Sequence, residues 1–262
     1  MKIKVVTDST SDLPTSVIRD LGITVVPALV QFGDKVYYDG LDLSTDEFYR
    51  KLQTSSILPK TTPASPGTFA DVYSTLAREA DGVVSIHISA KLSATYDAAR
   101  VGSEQLKSRI CIIDSQTASM ACGLLVIIAA RAARDGASLS EIEALVRAAV
   151  PRTVTYGVFG TLEYLYKGGR IGRAQAFLGS MLKLNPILAI RTGEILPIAR
   201  VRTRPRAIER LCEILRESGV PQEMSVMRTT ELDEAEALAQ RLSPIFPPER
   251  IYRASIGPAM GT

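Results

Sequence analysis

The chain of 262 residues has no tryptophan, one histidine and three cysteines. A lone His87 cannot build a histidine-based metal site. Cys111, Cys122 and Cys212 show neither paired ligand spacing nor an even count for a disulfide framework. They read as buried free thiols, which suits a cytoplasmic location. Charge of one sign is scarce too: 31 Lys and Arg against 28 Asp and Glu leave a formal net charge of +3. With no basic run, nucleic acid is not an expected partner. No signal-peptide core precedes the apolar residues 3–6. The most apolar stretch, residues 118–133, is too short and too alanine-rich for a membrane span and reads as a buried helix. No Walker-type phosphate loop occurs, since Gly168-Gly169 is too short to be one.

What the chain does have is apolar strands that stop at hydroxyl-rich turns. Hydrophobic residues make up 46% of it, and its length allows one large domain or two ordinary ones. Residues 82–86 form an apolar run, followed by Ser89, Lys91, Leu92, Ser93 and Thr95 and then by a helical pattern. In an open α/β sheet, ligands bind beyond the carboxyl ends of the strands. A helix starting there directs unpaired N–H groups at an anion, and Ser93 and Thr95 add hydroxyl donors. The competing reading is that Ser93 only caps the helix.

The same arrangement recurs. Residues 2–6 end at Asp8 and Ser9, before a helix at 14–21 for which Asp12 reads as the cap. Residues 110–113 end at Asp114 and Ser115. Residues 23–32 read as one strand containing Pro27, with a returning strand at 35–38 after Gly33-Asp34. Residues 59–69 read as an extended proline-rich loop, a third wall of the crevice in which Thr61 and Thr62 are donors. Repeated strand–loop–helix units predict a largely parallel sheet with helices on both faces. Pro151 marks a boundary between residues 1–151 and 152–262. The second part reads as an α/β domain with a mixed sheet, including a helix at 175–184 and a hairpin turning at 192–194.

Six blocks then match one family in order: VTDSTSDLP (6–14), KTTPASPGTF (60–69), ISAKLSATYDAA (88–99), IDSQTASMACG (113–123), LEYLYKGGRIG (162–172) and LNPILAIRTGEI (184–195). The sequence resembles the DegV family, the fatty-acid-binding proteins that serve bacterial fatty acid kinase. The resemblance implies a non-enzymatic cytoplasmic carrier without a cofactor. It would bury a long-chain fatty acid between two α/β domains and present it to a kinase protein for acyl-phosphate formation and phospholipid synthesis. A transient membrane-surface contact would serve lipid exchange. The carboxylate contacts of the family fall on Thr61 and Ser93, and its arginine near the carboxyl end falls on Arg170; Asp8 and Ser9 lie close by. Three departures stand out. Thr62-Pro63-Ala64 replaces Ser-Gln-Pro, and Ala94 replaces a glycine. The histidine common after the Gly-Thr pair matched by Gly261-Thr262 is not among residues 1–262.

Burying about fifteen methylenes at roughly 0.8 kcal/mol each gives about 12 kcal/mol gross. Immobilisation removes several kcal/mol of it. The carboxylate needs donors, because a bare buried charge is very costly. Leu29, Phe159, Phe177, Leu178 and Ile190 are candidates for the apolar tunnel, with ordinary core positions as the competing reading. The alternative function is a hydrolase or transferase that uses a serine and an aspartate on a small carboxylate or phosphate ester, with His87 as base. No Gly-x-Ser-x-Gly elbow surrounds Ser93. A third reading, a phosphate-ester or sugar binder, gives no reason for a large apolar cavity.

Overall fold

The computed structural model of the chain describes residues 1–180 and 184–262; of residues 107, 108 and 178–180 it describes the backbone alone. The chain begins with β1 (Ile3–Asp8), α1 (Thr15–Leu21), β2 (Thr24–Val26), β3 (Leu29–Phe32), β4 (Lys35–Tyr38), α2 (Thr45–Thr54) and β5 (Lys60–Thr62). It continues with α3 (Pro66–Glu79), β6 (Gly82–His87), α4 (Thr95–Gly102), β7 (Ile110–Asp114), α5 (Met120–Arg134) and α6 (Leu139–Ala149). The strands β2-β1-β6-β7 form an all-parallel sheet. Every residue of β6 is buried, as expected for a central strand covered on both faces. One face packs on α1, α5 and α6 through Leu125, Ile127, Ile142 and Val146. The other packs on α3 and α4 through Phe69, Tyr73 and Ala99. The expected parallel sheet between two helical layers is therefore present.

Two local expectations change. Residues 23–32 are two strands, not one. Pro27 cannot donate to a ladder, and the chain leaves the parallel sheet after β2 to start a separate antiparallel sheet, β4-β3-β5. The proline-rich segment is more than a loop, since Lys60–Thr62 pairs with β3, Leu29 facing Thr62. This small sheet packs on Phe48 and Tyr49 of α2.

After Val150–Arg152 the chain adds β8 (Thr155–Val158), α7 (Glu163–Lys167), β9 (Asn185–Arg191), β10 (Glu194–Val201) and α8 (Arg204–Glu217). Then come β11 (Ser225–Arg228), α9 (Leu232–Arg241), β12 (Tyr252–Ser255) and α10 (Pro258–Gly261). The second half carries both pairing senses, divided between an antiparallel sheet β10-β9-β8 and a parallel pair β11-β12. The helix expected at 175–184 is instead a 3-10 helix over Gly172–Ser180, and residues 181–183 lie outside those described.

The halves interlock across Pro151. Met227, Tyr252 and Ala254 pack against the core of the parallel sheet. Arg131 of α5 reaches Glu223 at 2.5 Å and the Tyr252 hydroxyl at 2.6 Å. Ala259 packs on the cluster of Phe48 and Tyr49. The final segment thus returns to the first half.

Candidate functional site

Parallel register brings the carboxyl ends of β1, β6 and β7 to one edge, with His87 opposite Asp114 and Asp8 opposite Val26. The second half fills part of that edge. The β9–β10 hairpin turns through Thr192 (φ 50°) and Gly193 (φ 80°), and its tip enters the crevice. Gly193 N–H donates to the Gln116 carbonyl at 2.7 Å, and the Ser89 hydroxyl donates to the Gly193 carbonyl at 3.3 Å. Lys91 and Glu194 pair at 2.8 Å beside them. A Cβ at position 193 would lie 2.5 Å from Ser89 Oγ, so both the backbone and the close approach require glycine.

This docking decides which strand ends can meet a ligand. Asp114 Oδ1 accepts from Gln116 N–H at 2.8 Å and Ala90 N–H at 3.4 Å. Ser115 is fully buried; its hydroxyl donates to the Thr117 carbonyl and accepts from Thr117 N–H, both at 3.3 Å. Ser115 therefore lies outside the cleft. Ser9 Oγ accepts from Ala28 N–H at 3.0 Å and does not line the cleft either.

Asp8 points into the core rather than the crevice. Its Oδ2 is 2.9 Å from His87 Nδ1, His87 Nε2 is 2.7 Å from Ser85 Oγ, and Ser85 Oγ is 2.9 Å from the Tyr73 hydroxyl. A chain in one direction satisfies each member: Tyr73 donates to Ser85, Ser85 to His87, and His87 to Asp8. Burial alone would raise the Asp8 pKa. The hydrogen bond from His87, together with donation from Thr10 and Ile88 N–H, holds it below the usual carboxylate range. These contacts have the order of a Ser-His-Asp triad, but His87 and Ser85 are wholly buried and Phe69 stands edge-on to the imidazole at 5.2 Å. No substrate can reach them. Ser93 pairs with Thr95, not with His87, which removes the proposed base from the hydrolase reading.

The open cleft lies beside this chain, between the halves. The first half contributes Thr61, Thr62, Ser93 and Thr95, and also Thr10, which the sequence reading missed. Arg170, Tyr164 and Leu165 come from the second half, as do Ile190 and Ile195. Ala259, Met260 and Thr262 close one side. Of the tunnel candidates whose side chains are described, only Ile190 lines the cleft. Phe159 and Phe177 pack around Leu162 and Ile171, Leu29 is a strand residue away from the lining, and the Leu178 side chain lies outside the described residues.

The donors are pre-arranged. Ser93 Oγ lies 2.8 Å from Thr95 Oγ1 and accepts from Thr95 N–H at 3.3 Å. With Thr95 donating twice, the Ser93 hydrogen is free to face the cleft. Ser93 is not the cap: Ala94 holds that position, with φ −74° and ψ 4°. Alanine therefore replaces the family glycine without left-handed strain. Arg170 spans the halves, Nε donating to the Leu92 carbonyl at 3.4 Å and Nη1 to the Gly168 carbonyl at 2.6 Å. The guanidinium is exposed, at the mouth of the cleft. Among the described residues no group of His, Cys, Asp and Glu could hold a metal ion. No described helix is long and apolar enough to cross a membrane.

A family model described as an uncharacterised protein family, DegV, matches residues 2–262. This chain belongs to the DegV family. A DegV domain-containing protein of Caldanaerobacter subterraneus is 36% identical over 265 residues, covering 100% of this chain and 94% of its own. Among solved structures, a DegV family protein from Thermus thermophilus, described by its fatty acid binding, superposes with a TM-score of 0.90 at 33% identity, covering 100% of this chain and 95% of that one. DegV of Bacillus subtilis, described as a fatty acid binding protein, also gives 0.90 at 31% identity, covering 100% and 94%. The DegV fold is therefore present over the whole chain.

Proposed function

We propose that this DegV family member binds a long-chain fatty acid in the cleft between its halves, acting as a carrier rather than an enzyme. The observation that carries this reading is a cleft lined by both hydrogen-bond donors and apolar side chains. Thr61, Ser93 and Arg170 supply donors to it, and Leu92, Leu165, Ile190 and Ile195 supply apolar surface. An amphipathic chain with one anionic head fits that lining, and the fatty acids named for the Thermus and Bacillus proteins have this chemistry. The head is held by hydroxyl hydrogens and one guanidinium, the tail by apolar burial. Thr62 and Thr95 line the same cleft. Asp8 and Ser9 act from behind, Asp8 by fixing Thr10 and the Ile88 amide.

In this reading the chain presents its ligand to a separate fatty acid kinase protein in the cytoplasm, for acyl-phosphate formation that feeds phospholipid synthesis. A brief membrane-surface contact would supply exchange. The two halves, 1–151 and 152–262, act as the jaws of the cleft.

Lipid extracted from purified protein and read by mass spectrometry is expected to contain fatty acid. Ser93→Ala and Thr61→Ala are each expected to weaken oleate binding by about 1.5–3 kcal/mol, the worth of a hydrogen bond to a charged group. Oleyl alcohol affinity should change little. Protein that takes up no oleate or palmitate, or that binds alcohol and acid alike, would overturn the reading.

A further inference from the structure

Thr10 lines the cleft, yet the carboxylate contacts proposed above leave it unused. It is buried, and its hydroxyl hydrogen is already committed. Asp8 Oδ1 accepts from the Thr10 N–H at 3.0 Å and from the Thr10 hydroxyl. Asp8 Oδ2 accepts from the Ile88 N–H at 3.3 Å and lies 2.9 Å from His87 Nδ1. The two backbone groups can only donate, and a carboxylate that gathers donors on both oxygens has no hydrogen to return. The Thr10 hydroxyl is therefore the donor in its bond to Asp8, and its lone pairs are left over. Among the described residues no group donates to Thr10 Oγ1.

The buried chain behind Asp8 fixes this polarity. Tyr73 donates to Ser85, Ser85 to His87 and His87 to Asp8. Reversal would set the lone pair of His87 Nδ1 against an Asp8 oxygen, two acceptors 2.9 Å apart. All four side chains are buried, so water cannot exchange their roles. Ser93 and Thr95 differ, because either of those two hydroxyls can donate to the other. Thr10 has no such freedom.

Sheet topology sets this acceptor beside the turn that carries Ser93. Thr10 follows β1 and Ser93 follows β6, neighbouring parallel strands whose register places Thr7 against Ile86. Asp8 ties Thr10 to the Ile88 amide, and the Ser93 N–H closes one turn onto the Ser89 carbonyl at 3.1 Å. Neighbouring strands lie about 4.8 Å apart. A hydroxyl on the second or third carbon of an acyl chain lies within such reach of its own carboxylate.

We propose that the cleft reads a hydroxyl on its ligand, with Thr10 as the fixed acceptor, so that its ligands include long-chain 2- or 3-hydroxy fatty acids. The inference rests on the fatty acid reading and deepens it. Thr61, Ser93 and Arg170 offer donors, which suit a carboxylate. Thr10 offers the opposite polarity, which an unsubstituted chain leaves unused. The ligand hydroxyl donates to Thr10 Oγ1, and no covalent bond changes. Asp8 and His87 are positioning residues that act through Thr10.

Equilibrium binding to delipidated protein tests this with palmitate, 2- and 3-hydroxypalmitate, and 2- and 3-fluoropalmitate. Fluorine is close to a hydroxyl in size and cannot donate. At least one hydroxy acid is expected to bind the wild type about threefold or more tighter than its fluoro counterpart, as a typical hydrogen bond provides. Thr10→Val keeps the side-chain shape and removes the acceptor, so it should bring that ratio to less than about twofold. Thr10→Ser keeps the hydroxyl and should restore the preference, which a purely structural role of Thr10 would not produce. Hydroxy and fluoro acids of equal affinity for the wild type overturn the inference, and that comparison needs no variant to fold. A preference that survives in Thr10→Val overturns the role of Thr10. A wild type that binds palmitate but prefers neither hydroxy acid refutes this inference alone, whereas one that binds none of these acids refutes the carrier reading as well.

Discussion

Replacing Gly193 by alanine tests the contact that sets the two halves against each other. The left-handed backbone costs an L-residue about 1–2 kcal/mol. The new Cβ would lie 2.5 Å from Ser89 Oγ and 3.3 Å from Lys91 Cδ. Relief means withdrawing the hairpin tip, which loses the Gly193 N–H to Gln116 and Ser89 to Gly193 hydrogen bonds. At about 0.5–1.5 kcal/mol each, their loss brings the total to about 2–5 kcal/mol. Gly22 provides the control. Its φ is +62°, and a Cβ there meets nothing within 4 Å, so Gly22→Ala bears the backbone cost alone. Urea unfolding at constant m-value is the assay. Gly193→Ala should lose at least about 1 kcal/mol more than Gly22→Ala, the worth of a typical hydrogen bond. Equal losses would refute the argument that the docked hairpin is an energetic link between the halves.

Other outcomes follow from the buried groups. Asp8 has a folded pKa below its unfolded value, so its contribution to stability is present above the ordinary aspartate range and is lost as pH falls through the folded value. Thermal melts at decreasing acid pH should show a steeper loss for the wild type than for Asp8→Asn. Asp12 is the opposite case: with a folded pKa of about 8, the native state holds a proton that the unfolded chain has released. Stability should decline as pH rises from the unfolded value toward about 8, and Asp12→Asn should flatten that slope in the same melts. Phe69 is fully buried between α3 and β6. Phe69→Ala should cost about 3–5 kcal/mol in urea unfolding.

Much of the architecture was legible in the sequence, because the apolar runs at 82–86 and 110–113 call for strands covered on both faces. The hydroxyl-rich turns lie at one edge of the sheet, as their recurrence after the strands implied, and six ordered motifs pointed to the family. Local pattern could not show which strand ends remain open. Asp114 and Ser115 looked equivalent to Ser93 in sequence, but the tip of a later hairpin, at Gly193, closes over their end of the crevice. Pro27 and the pairing of Lys60–Thr62 likewise turned one expected strand and one expected loop into a separate sheet. Asp12 read as a helix cap because capping is a local bond. Its actual partners, Ser119 and Gly257, are brought to it only by the folded chain. Sequence periodicity therefore determined the layers and the strand ends that carry the hydroxyl-rich turns. Tertiary structure decided which hydroxyls line the open cleft and which carboxyls are desolvated, because access and desolvation arise from long-range contacts.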